Sequence, residues 1–238
     1  MKDSFFHFQH FNLRNKNAAF KINTDGVLLA AWADLTGAQT LLDIGTGTGV
    51  IAHICHYRFP DTMITGVDID EGSYEEALFN VNHNSFTKSI NIVHTDVRSW
   101  KSEKTYDHVI TNPPYFSNGT LPDNNKLSLA KHTGSLNTKD LWNSINRLTH
   151  KDSKVSIILP VEAEDEHIEA ANSVNFYANR ICYVKNRSQG KLRRILIEYS
   201  RINTPCIKDE LCIHSDGEEY YSDAFKELHQ DLNMIFKK

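Results

Sequence analysis

The chain has 238 residues, 40% of them apolar and 24% charged, with 26 Lys and Arg against 30 Asp and Glu for a net charge of −4. A chain of that length buries a substantial core, and no stretch of it reaches the roughly 20 apolar residues that spanning a bilayer requires. The charge balance lacks the basic excess usual for nucleic-acid binders, and Cys55, Cys182, Cys206 and Cys212 show no C-x-x-C spacing that would suggest a zinc site or a disulfide framework.

The first segment interleaves Phe5, Phe6, Phe8 and Phe11 with His7, His10, Arg14, Lys16 and Lys21. Such a pattern either stacks on bases and neutralises phosphate or packs as a strand or hairpin on the main sheet with its polar side solvated. A helix is expected near 26–36. The next run, Thr40-Leu-Leu-Asp43-Ile-Gly45-Thr-Gly47-Thr-Gly49, reads as a buried strand, a glycine-rich turn and the start of a helix over about 47–58. The spacing differs from the G-x-G-x-x-G of a dinucleotide site, and an acidic residue stands two positions before the first glycine. Asp43 would repel a pyrophosphate but could receive the ammonium of an amino-acid ligand, directly or through water. That combination favours S-adenosylmethionine over NAD, with Gly45 and Gly47 letting the backbone approach it.

A strand near 63–67 ends in Asp68-Ile-Asp70, about twenty residues beyond the turn, where a carboxylate can bond ribose hydroxyls. A helix near 71–85 follows, its first turn weakened by Gly72. The strand near 90–94 leads to Asp96, placed to contact the cofactor's adenine. Each of Asp68 and Asp96 also suits a helix N-cap.

The strand near 106–111 runs into Asn112-Pro113-Pro114-Tyr115. An exocyclic amine on adenine donates its lone pair into the ring and is a poor nucleophile. The Asn112 side-chain oxygen and the Pro113 carbonyl, on a backbone whose φ is locked, are two acceptors for its N–H bonds, and Tyr115 offers a flat face for the base. A strand closed by a proline turn is the alternative. Ser117–Asn125 reads as a loop, either over a substrate or a plain surface turn, and Lys131 and His132 as a solvated helix start. Helices near 138–149 and 162–174 and strands near 155–159, 181–185 and 194–199 complete an α/β fold. It is expected as a seven-stranded Rossmann-like class I methyltransferase sheet with helices on both faces, ligands lying at the carboxyl ends of the strands. Lys185, Arg187, Lys191, Arg193, Arg194 and Arg201 form a basic segment suited to phosphate. From about Pro205 the chain suggests one more strand and an amphipathic helix.

Asn23-Thr24-Asp25-Gly26-Val-Leu-Leu-Ala-Ala-Trp32, the D-x-G-x-G-x-G turn, N-P-P-Y-F and Lys191-Leu-Arg-Arg-Ile-Leu-Ile-Glu198 together resemble the bacterial tRNA adenine-N6 methyltransferases that modify adenine 37, beside the anticodon, in valine tRNA. The resemblance covers most of the chain and weakens after about residue 200. It implies S-adenosylmethionine as cofactor, with Thr24, Asp25, Asp43, Gly45, Gly47, Asp68, Asp96 and Asn112 binding it. It further implies Asn112, Pro113 and Tyr115 as catalytic residues, and Pro114, Tyr115, Phe116, Lys191, Arg193 and Arg194 on the RNA. Phe20 and Asn23 depart from the family pattern, which has a methionine and a small residue there, and a simple helix cap also explains Thr24-Asp25-Gly26.

Release-factor glutamine, ribosomal RNA adenine and DNA adenine remain alternative substrates of an N-P-P-Y enzyme. The first calls for a longer helical region upstream, and DNA for a target-recognition region. A non-catalytic RNA-binding protein needs neither the N-P-P-Y nor Asp43. One domain over 1–238 is expected, with a substrate-side extension at 1–36 and an appendage at about 205–238. Without a signal-peptide core or clustered histidines, the expectation is a cytoplasmic, metal-free monomer that binds tRNA.

Overall fold

The computed structural model describes residues 5–84, 87–114, 136–215 and 221–229. A short hairpin of β1 (Phe5–His7) and β2 (Asn12–Arg14) precedes helix α1 (Thr24–Trp32). The chain then alternates β3 (Thr40–Ile44), α2 (Val50–Arg58), β4 (Met63–Asp68), α3 (Glu71–His83), β5 (Ile90–His94) and β6 (Tyr106–Thr111). Helix α4 (Thr138–Leu148), β7 (Thr149–Pro160) and α5 (Glu164–Ser173) follow, and then β8 (Tyr177–Lys185), β9 (Leu192–Ser200), β10 (Ile207–Cys212) and α6 (Asp223–Leu228).

All seven expected strands are present in one mixed sheet of order β10-β8-β9-β7-β6-β3-β4-β5, in which β10 adds an eighth strand at the edge. Strands β5, β4, β3, β6 and β7 are mutually parallel, β9 runs antiparallel to both β7 and β8, and β10 pairs parallel with β8. The order runs outward from β3 in both directions, so the sheet has a topological switch at β3, beside β6.

Both faces of the central strands are covered, so neighbouring apolar residues along them feed two cores. Leu41 of β3, Ile158 of β7 and Leu196 of β9 join a core with α1, α2 and the hairpin. Their neighbours Leu42, Ile157 and Ile197 point the other way, into a core with Trp142 and Ile145 of α4. The hairpin belongs to the first of these cores: Phe8, Phe11 and Leu13 are buried, whereas Phe6 and Phe20 are exposed. Packing on the body of the domain therefore accounts for the inner phenylalanines.

Polar side chains set the helix starts. Asn23 Oδ1 accepts from the Gly26 amide at 3.0 Å and Asp70 Oδ2 from the Ser73 amide at 2.7 Å, each satisfying an amide that the first turn leaves without a partner. The cap of α1 thus falls on Asn23, which places Thr24 and Asp25 inside the first helical turn. Helix α2 begins at Gly49 with no side-chain cap.

Candidate active site

Registers bring the carboxyl ends of three parallel strands side by side: Ile44 of β3 lies between Val67 of β4 and Thr111 of β6. Thr111 Oγ1 donates to the Ile44 carbonyl at 2.9 Å and pins the end of β6 to the start of the glycine turn. In that turn Gly45, Gly47 and Gly49 have φ of 73°, 59° and 79°. An L side chain is strained at such angles. A Cβ on Gly45 would meet nothing within 4 Å, and one on Gly47 only the Gly45 carbonyl at 3.9 Å. The turn therefore presents bare backbone to open space.

Asp43 lies beneath it, fully buried. Its Oδ2 accepts from Thr46 Oγ1 at 2.7 Å, while Oδ1 makes no hydrogen bond. Burial raises the carboxyl to about 7, helped by the charge of Asp68 and opposed by the Thr46 hydroxyl and the Ala52 amide. A buried acceptor with nothing to accept is costly, and a bound cation or water would relieve that cost.

Asp68 closes the turn from β4. One oxygen accepts from the Gly47 amide and the other from the Asp70 amide, each at 2.9 Å. Burial raises this carboxyl too, against the pull of those amides. At the end of β5, Asp96 is held by the guanidinium of Arg98 at 2.7–3.0 Å, which keeps it below the ordinary carboxylate range.

Asn112 follows β6 and stands against α1. A Cβ on Gly26 would lie 3.8 Å from Asn112 Nδ2 and 3.5 Å from Val50 Cγ1, so the glycine brings α1, α2 and the N-P-P segment together. Pro113 is buried, while Asn112 and Pro114 are half-buried. Tyr115 and Phe116 lie outside the described residues, as do the 117–125 loop, Lys131 and His132.

The basic segment divides. Lys185 pairs with Glu210 at 2.7 Å, and Arg187 reaches the Ser215 carbonyl. Arg201 packs on the Phe176 ring and bonds the His150 and Val174 carbonyls, a structural task inside the fold. Arg193 is exposed on β9, which also carries Arg194, and Lys191 is exposed just before the strand begins. Arg194 Nε meets Asp25 Oδ2 at 2.7 Å, joining a residue expected on the RNA to one expected on the cofactor.

Sequence reasoning missed Asn80. Fully buried on α3, it accepts from the Arg14 amide and donates to the carbonyls of Arg14 and Thr48, so it links the N-terminal segment to the glycine turn. Its signal was a polar residue one turn after Glu76, itself buried and paired with Arg14 at 2.9 Å.

These elements can hold a ligand with a cationic end over the turn and present two acceptors, on Asn112 and Pro113, to an amine nearby. Residues 15–134 match the methyltransferase small domain. A tRNA1(Val) (adenine(37)-N6)-methyltransferase of Pseudoalteromonas translucida is 36% identical over 220 residues, covering 92% of this chain and 94% of that protein. One of the same name from Bacteroides thetaiotaomicron is 34% identical over 238 residues, the full length of both. Among solved structures, a predicted O-methyltransferase of Agrobacterium tumefaciens superposes with a TM-score of 0.70 at 18% identity, over 89% of this chain and 98% of that one. The ribosomal protein L11 methylase of Lactobacillus delbrueckii subsp. bulgaricus gives 0.53 at 18% identity, over 75% and 77%. At these identities the structural likeness concerns the fold.

Proposed function

Because the chain belongs to the tRNA1(Val) (adenine(37)-N6)-methyltransferase family, we propose that it uses S-adenosylmethionine to methylate the exocyclic N6 amine of adenine 37, beside the anticodon, in valine tRNA. One observation carries the reading most directly: Gly26 sets Asn112 beside the helix that leaves the glycine turn, and the strand that enters that turn carries a buried Asp43 whose Oδ1 has no hydrogen-bond partner.

S-adenosylmethionine, when bound, supplies an electrophilic methyl group. Asp43 fits its ammonium, the bare turn at Gly45 and Gly47 fits its close approach, and the second lone pairs of Asp68 suit ribose hydroxyls. Asp96, beyond β5, takes the adenine, and Thr24 and Asp25, in the first turn of α1, contact the cofactor. Asn112 and Pro113 each accept one N–H of the target amine, drawing its lone pair out of ring conjugation and aiming it at the methyl carbon. Positioning of this kind supplies much of a transfer rate, and no strong base is needed since the methylated nitrogen loses its proton to water. Tyr115 stacks on the base, with Pro114 and Phe116 beside it, a contact worth roughly 1–3 kcal/mol. Lys191, Arg193 and Arg194 take phosphates. An adenine in an anticodon loop costs less to extrude than one in a duplex, where the penalty is about a few kcal/mol. Among the described residues no helix is long and apolar enough to cross a membrane.

The test is incubation with labelled S-adenosylmethionine and, separately, tRNA, a release factor and duplex DNA, followed by digestion. Label in N6-methyladenosine from tRNA alone is expected. Label in a glutamine side chain or in DNA keeps the methyl transfer and overturns the substrate.

A further inference from the structure

Residues 14–23 form a strap that starts beside the glycine turn, crosses α3 and ends at the cap of α1. It begins on α3, where the Arg14 and Lys16 amides are received by Asn80 and Glu76. It crosses the first turn of α3, where the Ala19 amide donates to Ser73 Oγ at 3.1 Å. It ends at Asn23, the cap of the helix whose Gly26 faces Asn112. Within it, the Ile22 amide donates to Asn15 Oδ1 at 3.1 Å and Lys21 Nζ to the Asn15 and Lys16 carbonyls, so that its two ends are tied to each other.

Gly72 marks the crossing. A Cβ there would lie 2.9 Å from the Asn17 carbonyl oxygen, a backbone atom that could yield only if the strap moved. A glycine in the first turn of a helix is a poor choice for helix stability, and this close approach gives its reason. At the other anchor, Asn80 bonds the strap and the Thr48 carbonyl with one side-chain amide, at 3.0 and 2.9 Å. The strap and the turn consequently share a fixed separation, although Arg14 and Thr48 lie 34 positions apart.

We infer that the strap is the outer wall of the cofactor cleft and that Gly72 and Asn80 are positioning residues for cofactor affinity, Gly72 by letting the strap sit close and Asn80 by setting its distance from the glycine turn. Neither touches the reacting atoms. This rests on the functional reading above, since it assigns a wall to the cleft that reading places over the turn.

The experiment is calorimetric titration of S-adenosylmethionine into the full chain, wild type and the variants Gly72→Ala and Asn80→Ala, with thermal unfolding and steady-state kinetics on each. In Gly72→Ala the helix gains at most about 1 kcal/mol of propensity while the strap is pushed off the Asn17 contact, so the thermal midpoint falls modestly and binding weakens. Loss of one or two hydrogen bonds' worth of order predicts a dissociation constant raised about tenfold, a matching rise in KM for the cofactor, and kcat at saturation within about twofold of wild type. Ser73→Ala, which removes only the bond to Ala19, should move affinity the same way by less, and serves if Asn80→Ala fails to fold. A wild type that binds S-adenosylmethionine with Gly72→Ala and Ser73→Ala binding equally well overturns the inference alone. A wild type that binds none overturns the functional reading together with it.

Discussion

Arg194 Nε lies 2.7 Å from Asp25 Oδ2, across 169 positions of sequence, and ties the start of β9 to the first turn of α1. The contact joins the strand that carries Arg193 and follows Lys191 to the helix that packs on Asn112. Both side chains are partly exposed, 34% and 22%, so as a stability element the pair is worth about 1 kcal/mol or less.

Arg194→Ala should accordingly shift unfolding little and weaken tRNA binding more. A filter-binding series at several salt concentrations checks this, because loss of a phosphate contact lowers the salt dependence by about one charge. An unchanged salt slope with a large drop in stability would assign Arg194 to the fold alone.

Asn112→Ala removes an acceptor that matters when the amine reacts. Turnover should fall by about a hundredfold or more, in line with loss of one preorganised polar group, while cofactor affinity changes far less. Single-turnover transfer alongside calorimetry separates the two effects; wild-type turnover in the variant removes Asn112 from the chemistry.

Asp43 gives a pH signature. Its folded value of about 7 stands above the ordinary 3.8, so the ligand-free fold is favoured when the group is protonated. That contribution is fully present below about pH 4 and is lost as pH rises through about 7. Cofactor binding has the opposite sign, since an ammonium prefers the carboxylate, and affinity should climb by up to about tenfold per pH unit below about 7. In Asp43→Asn both dependences should flatten. An identical pH profile in the variant would show that some other group titrates.

Gly47→Ala tests the bare turn. At φ 59° an alanine is strained by about 1–2 kcal/mol, yet its Cβ meets no atom closer than the Gly45 carbonyl at 3.9 Å. The expected result is a folded protein with a modestly lower melting temperature and little cofactor affinity. Full affinity would mean that the ligand lies elsewhere.

How far the sequence disclosed this arrangement depended on whether local chemistry or tertiary packing decides each feature. The parallel strands were legible because burial on both faces demands apolar runs such as Leu41–Leu42 and Ile157–Leu159. Asp43, Asp68 and Asn112 were legible because their strand-end positions follow from those runs. Strand β10 is different: Ile207–Glu210 are exposed, and only pairing with β8 fixes where the extra strand lies. The Asn23 cap was obscured by the neighbouring Thr24 and Asp25, either of which could have filled the same role. Asn80 and Gly72 looked like an ordinary polar residue and a weak helix start, since the strap that explains both is distant in sequence. Tyr115 and Phe116 lie outside the described residues.

The proposed reaction transfers one methyl to one nitrogen of one nucleotide. The most direct measurement uses unmodified valine tRNA transcript and its A37→G counterpart, with wild type and Asn112→Ala, mapping the product by nuclease digestion and mass spectrometry. One added methyl is expected on adenine 37 of the natural transcript with wild type, none on the A37→G transcript, and a large loss with Asn112→Ala. Equal methylation of both transcripts, or methylation at another position, would contradict it.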